Sequence, residues 1–250
     1  MFPEDIEAET GFRHFGEVSK GNQQAFSPAC TSPALGHFFK NYRRSMISEK
    51  LIVFTRYPEP GRTKTRLIPV LGSFGAANLH RLMAQRTIAR SLFLQNSRQL
   101  SVEIHHTGGS PQQMQDWLGT DLIYQNQIDG DLGARMTAAF QKSFDSGVNK
   151  AAIIGTDCPD LKSEIMAQAF DELSDRDLVL GPAKDGGYYL IGLRKAIPEL
   201  FDGIKWGTSE VFASTQAIAQ NLGLNIAVLP VLADIDRPDD LLGLDINILK

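Results

Sequence analysis

With 250 residues, 42% of them hydrophobic and 22% charged, the chain can bury a sizeable core as one large domain and sits far from disordered or fibrous compositions. Twenty-five Lys and Arg against 29 Asp and Glu leave a formal charge of −4, which excludes the broad basic surface of a nucleic-acid binder, and no run approaches the ~20 apolar residues of a membrane span. Two cysteines, Cys30 and Cys158, are too few for a disulfide framework or a four-cysteine zinc site, and with an acidic start that lacks the features of a secretory signal they fit a cytoplasmic setting.

Residues 1–45 mix five basic side chains (Arg13, Lys20, Lys40, Arg43, Arg44) with five acidic ones and show no apolar period, so a poorly ordered extension is expected before a domain over 46–250. From Lys50 onward strands and helices alternate. The run 51–54 reads as a buried first strand, and Leu79, Leu82, Met83, Leu92 and Phe93 mark a long helix starting near Ser73. A strand at 102–106, a short helix at 111–118 and a strand at 122–124 follow. Leu132, Met136, Phe140 and Phe144 stand four apart along a helix that stops near Gly147. The fully apolar run 151–154 predicts a strand, and Met166, Ala169, Phe170 and Leu173 the inner stripe of the helix after it. Strands at 178–180 and 188–193, a helix carrying Val211, Thr215, Ile218 and Leu222, and a strand at 225–232 complete the chain. This order predicts an α/β fold: a mostly parallel sheet with helices on both faces, three layers in a Rossmann-like arrangement.

Residues with chemistry cluster after these strands. The segment from Thr55 to Leu67 carries Arg56, Arg62, Lys64 and Arg66 within eleven residues, together with Gly61. It is either a solvated loop or a cradle for phosphates, and its place after a buried strand, where open α/β sheets bind ligands, favours the cradle. Gly61 lets the backbone approach an anion, Lys64 is a point charge, and Arg62 or Arg66 can grip phosphate oxygens bidentately; Thr55 and Thr65 are further candidate contacts. Thr63 stands where a Walker A loop needs glycine, and the three glycines of a dinucleotide fingerprint are missing.

The strand at 151–154 runs into Gly155-Thr156-Asp157-Cys158-Pro159-Asp160, which places Asp157 to hold Mg²⁺ or Mn²⁺ beside a diphosphate. Asp160 reads as a cap for the next helix. Cys158 lacks a well-placed histidine partner, because His105 and His106 belong to a distant strand, so a catalytic thiol is not expected. Asp185-Gly186-Gly187 is either a hairpin turn or a backbone wall for a substrate, with Asp185 as general base and Tyr188 beside it. Asp234 and Asp236 alternate onto one side and can complete a metal site begun by Asp157, whereas Asp239 and Asp240 favour the start of a closing helix. Asp131 reads as a helix cap, and Arg135 as a contact to a nucleotide or acceptor.

Taken in order, Phe-Thr-Arg-Tyr-Pro-Glu-Pro-Gly-Arg-Thr-Lys-Thr-Arg-Leu, Gly-Asp-Leu-Gly-Ala-Arg-Met, Gly-Thr-Asp-Cys-Pro-Asp-Leu, Gly-Pro-Ala-Lys-Asp-Gly-Gly-Tyr-Tyr-Leu, Trp-Gly-Thr and Asp-Ile-Asp-Arg-Pro-Asp-Asp-Leu resemble a bacterial family of GT-A type glycosyltransferase-like proteins. Members are described as radical-SAM-associated, some with a place in arsenosugar biosynthesis. More remotely the chain is similar to 2-phospho-lactate guanylyltransferase and the molybdenum-cofactor guanylyltransferases. The resemblance covers roughly 46–243 and departs from the family over the first 45 residues. It implies a nucleotide-diphospho-sugar transferase fold, phosphates on Gly61, Arg62, Lys64 and Arg66, a metal on Asp157, and a pocket wall from Asp185, Gly186 and Gly187.

The expected activity is a metal-dependent glycosyl transfer from a nucleotide-diphospho-sugar donor to a small-molecule acceptor. Lys64 and the arginines offset charge on the leaving group, and Asp185 takes the acceptor proton. A nucleotidyltransferase moving a nucleoside monophosphate onto a phosphorylated acceptor uses the same loop and the same acidic lip. A non-catalytic nucleotide-binding module is the third expectation.

Overall fold

The structure, a computed structural model, describes residues 48–244, and the expected extension over 1–45 lies outside them. Seven strands form one sheet: β1 (Glu49–Arg56), β2 (Leu100–Thr107), β3 (Ile123–Asn126), β4 (Lys150–Ile154), β5 (Leu178–Pro182), β6 (Tyr188–Leu193) and β7 (Ile226–Val228), in the spatial order β3-β2-β1-β4-β6-β5-β7. All neighbours run parallel except β6, which is antiparallel to both β4 and β5. Five α-helices join them: α1 (Ile68–Ser97), α2 (Pro111–Leu118), α3 (Leu132–Asp145), α4 (Ser163–Glu172) and α5 (Val211–Asn221).

Period-two alternation divides the central strand between two cores. Leu51 and Val53 pack with Ile88 and Leu94 of α1 and Met166 and Phe170 of α4, while Ile52 faces Met136 and Phe140 of α3 and Ala219 of α5. The result is the expected three-layer α/β arrangement. From β1 the chain moves to β2 on one side and later returns to β4 on the other, so a crevice opens beyond the carboxyl ends of β1 and β4, where such sheets bind ligands.

Two elements differ from expectation for local reasons. The long helix is interrupted at Gly72 (φ 68°, ψ 168°), which leaves its regular part near the expected start at Ser73 and a separate first turn after Leu67. The last strand is short because Pro230 has no N–H for a ladder; the chain regains the sheet only at a single bridge between Ala183 and Leu232. Asp131 caps α3 by accepting from Ala134 N at 2.8 Å. Asp160, expected as a cap, is not one: α4 starts from Lys162 without a side-chain cap, and Asp160 stays in the exposed loop.

Candidate functional site

The loop after β4 is anchored from below. Leu161 is fully buried, and Arg90 of α1 reaches up to donate to the carbonyls of Pro159 (2.5 Å) and Leu161 (2.8 Å). With Cys158 buried against the core, the neighbouring Asp157 points out into the crevice, its side chain about half exposed (51%). The cationic loop meets it there. Lys64 Nζ lies 2.7 Å from Asp157 Oδ1, also donates to the carbonyl of Ile235, and is 3% exposed along its side chain. Lys64 is the one non-glycine residue with positive φ among the described residues (φ 49°, ψ 47°). Such a backbone costs on the order of 1–3 kcal/mol and persists where the surroundings impose it. Here the surroundings are one carboxylate and one carbonyl.

The third motif closes the arrangement. Ile235 N donates to Asp157 O at 2.9 Å, Arg66 pairs with Asp236, and Asp240 accepts from the backbone N–H of Asp236 (2.9 Å) and Arg237 (2.6 Å) at the start of a 3₁₀ turn. The Asp185-Gly186-Gly187 turn does join two antiparallel strands as a hairpin, and it also faces the crevice. Asp185 Oδ1 accepts from Gly187 N (2.8 Å), leaving Oδ2 available, and Phe212 N donates to Gly186 O (2.9 Å).

Two adjoining cavities result. The larger, about 630 Å³, has Arg66, Lys184 and Arg237 among its lining residues. The smaller, about 310 Å³, is walled by Leu132, Tyr188, Tyr189, Trp206 and Val211 and has Asp157 at its edge. Asp185, Asp234 and Asp236 border both. Burial and the neighbouring Asp185 carboxylate, with Asp240 and Asp157 adding, push Asp234 above the usual carboxylate range. Burial also pushes Asp157 upward, but the Lys64 ammonium and the His80 ring outweigh it and hold that carboxyl well below its ordinary value. The cleft therefore has two carboxylates met by a cation, Asp157 by Lys64 and Asp236 by Arg66, and a pair with no such partner among the described residues, Asp234 with Asp185.

The other sequence candidates sit apart. Thr55 is buried beside His80, and Gly61 and Thr65 are exposed on the loop. Arg62 points to solvent and pairs with Glu59 at 3.5 Å, bordering a separate hollow with Arg56 and Tyr57. Arg135 lines neither cavity; its Nε is buried without a hydrogen-bond partner among the described residues. One residue at the site carries no sequence signal: His80 of α1 donates from Nε2 to Arg56 O (2.9 Å) and sets Nδ1 3.8 Å from Asp157 Oδ1. Inside an amphipathic helix it reads as core.

Burial, with Asp157, Asp234 and Asp185 adding, pushes the Cys158 thiol far up, so no thiolate forms at neutral pH. In the native protein at pH 7.5, iodoacetamide should label Cys158 at least about tenfold more slowly than in urea, as peptide mass spectrometry would read. Equal rates would contradict the burial.

Among the described residues no helix is long and apolar enough to cross a membrane. No curated protein matches the sequence. Residues 91–208 match a bacterial family described as "Uncharacterized protein conserved in bacteria (DUF2064)". A solved "putative nucleotide-diphospho-sugar transferase" from Desulfovibrio desulfuricans G20 is 36% identical, with 78% of this chain and 85% of that one covered and a TM-score of 0.74. CMP:2-keto-3-deoxy-manno-octonic acid synthetase in complex with CTP (15% identity, 78% and 96% covered, TM-score 0.50) shares the fold. So does the homologue of Mycobacterium tuberculosis rv0371c from Mycobacterium sp. strain JC1 (14%, 83% and 98%, TM-score 0.52). At 36% identity over 85% of the Desulfovibrio protein, the chain belongs to that protein's family and has the nucleotide-diphospho-sugar transferase fold, and its central part, residues 91–208, matches DUF2064.

Proposed function

We propose that this protein is a metal-dependent glycosyltransferase that takes a nucleotide-diphospho-sugar donor. The observation that carries the reading is the meeting of a strained, buried Lys64 with Asp157 beside the uncompensated Asp234–Asp185 pair, at the crevice of a transferase fold. The description of the Desulfovibrio relative supports it.

The residues present fit a divalent cation. Asp157, Asp185 and Asp234 are hard oxygen donors, and Asp185 and Asp234 have no cationic partner among the described residues. Among the described residues no group of three metal-ligating side chains is preassembled, but Mg²⁺ is usually held by one or two carboxylates plus substrate phosphates and water. Asp157 and Asp234 are the proposed holders, Asp157 through Oδ2, since Lys64 and His80 both approach Oδ1; Asp236 is paired with Arg66. When bound, Mg²⁺ or Mn²⁺ supplies positive charge against the donor diphosphate.

The larger cavity, with Arg66, Lys184 and Arg237, suits the diphosphate, and the smaller one suits the acceptor. Lys64 lies behind Asp157 and fixes its ionisation and direction. Asp185, which borders both cavities, takes the proton of the acceptor hydroxyl as its oxygen bonds to the sugar carbon. The nucleoside diphosphate leaves with the electron pair of the broken C–O bond.

The test is product analysis with Mn²⁺ or Mg²⁺ and a panel of donors. Release of nucleoside diphosphate with a glycosylated product is the expected result. Release of pyrophosphate from a triphosphate would replace the reading with nucleotidyl transfer, and tight binding without any product would leave a nucleotide-binding module.

A further inference from the structure

We propose that the smaller cavity takes a neutral, hydroxyl-bearing ring compound of the sugar type and rejects phosphomonoesters. This names the acceptor class of the site just described and rests on the transferase reading. The cations of the crevice are unevenly placed. Arg66, Lys184 and Arg237 all border the larger cavity, and no Lys, Arg or His among the described residues borders the smaller one. Lys64 does not make up the difference. Its ammonium is held by Asp157 and the carbonyl of Ile235, and its side chain is 3% exposed. With no metal ion added, a phosphate dianion entering the smaller cavity would face Asp157, Asp185, Asp234 and Asp236 with no basic side chain bordering it, and like charges brought together disfavour a ligand.

The opposite wall suits a sugar. Trp206 is fixed from two sides: its ring lies on the backbone of Gly133, where a Cβ would come within 2.8 Å of Cζ2, and it stands edge-on to Tyr188 at 6.5 Å and 89°. With Leu132 and Val211 it makes an apolar surface for the C–H face of a ring, while the Asp185 carboxylate in the lining accepts from hydroxyls. A volume of about 310 Å³ lies near the lower end of small-molecule sites, large enough for a monosaccharide and too small for a sugar nucleotide. A pocket built for a phosphorylated acceptor would show the reverse, with a basic side chain at its base.

Saturation-transfer NMR on the full chain, without donor and with EDTA in place of divalent metal, compares methyl glycosides of the gluco, galacto and manno series with the matching hexose 6-phosphates. At least one neutral glycoside should bind about tenfold more tightly than its phosphate counterpart. Trp206→Ala should weaken that binding about tenfold, and Gly133→Ala, which displaces the ring without removing it, should do the same in a protein with unchanged circular dichroism. Neither change should alter the dissociation constant of a nucleoside diphosphate, whose separate titration tests the transferase reading on its own. Equal or tighter binding of a 6-phosphate, no binding by either set, or wild-type glycoside affinity in Gly133→Ala would each overturn the proposal.

Discussion

Lys64→Met is expected to lower kcat/KM about 10²–10³-fold, the range seen when one preorganised charge-stabilising donor is removed from an active site. The side chain does two things at once. Its ammonium holds the Asp157 carboxyl below its ordinary value and, through the carbonyl of Ile235, ties the loop after β1 to the segment after β7. Methionine keeps the length and loses both. Lys64→Arg should rescue little, because a planar fork does not fit where a compact ammonium sits 2.7 Å from one carboxylate oxygen with a carbonyl on its other side. The pH dependence of stability separates this role from simple packing. Asp157 is depressed in the folded state relative to about 3.9 in an unfolded chain, so its contribution is fully present above that pH and is lost as pH falls through the lower folded value. Without Lys64, only His80 is left to lower the half-exposed carboxylate. The difference in Tm between parent and Lys64→Met should therefore be widest near neutral pH and shrink below about pH 4. A difference that stays constant from pH 7 to 3 would mean that the ion pair is not what the variant removes.

The fold was legible because its signals are local and repeated. A fully apolar 51–54, an apolar 151–154 and four-residue spacing in α3 and α4 survive in the structure as the centre of the sheet and its covering helices. The acidic lips were legible too, since a carboxylate directly after a buried strand must emerge at its carboxyl end. Pairings across the chain were not. Nothing near Lys64 in sequence says that its charge is buried on a residue 93 positions later, or that Arg66 pairs with Asp236 while Arg62 stays with Glu59. Arg62, Lys64 and Arg66 were all expected on phosphates, and the backbone sends the three to different places. His80 was invisible for a related reason: one histidine on the inner stripe of a long helix differs from a core residue only through what β1 and Asp157 place above it. Trp206 stood in a recognised motif, but its role depends on the flat approach to Gly133, 73 residues earlier.

Gly186→Ala and Gly187→Ala, adjacent and chemically identical changes, should have very different outcomes. Gly186 has φ 90°, and a Cβ there would lie 2.1 Å from Ser209 O and 2.6 Å from Ser209 C and Cα. The obstacle is backbone, so it has no rotamer through which to yield. Left-handed geometry costs about 1–2 kcal/mol for a residue with a Cβ and forced overpacking about 1–3 kcal/mol, so Gly186→Ala should lose roughly 2–5 kcal/mol. At ~2–4 °C per kcal/mol for a domain of this size, Tm should fall by about 4–20 °C. At Gly187 the nearest atom to a new Cβ is Asp185 Oδ1 at 3.2 Å, the end of a side chain that can move by a few tenths of an ångström, so the fall should be about 1–3 °C. Function should follow the same order. Ser209 follows Thr208, which borders both cavities, and Phe212 N is held by Gly186 O, so pushing the two segments apart widens the junction where Asp185 faces the substrates. Gly186→Ala should weaken nucleoside diphosphate binding even at temperatures where it remains folded, while Gly187→Ala should bind as the parent does. Similar melting curves for the two variants would mean that the Ser209 segment is not packed on the turn, and the glycines would then be needed only to close the hairpin.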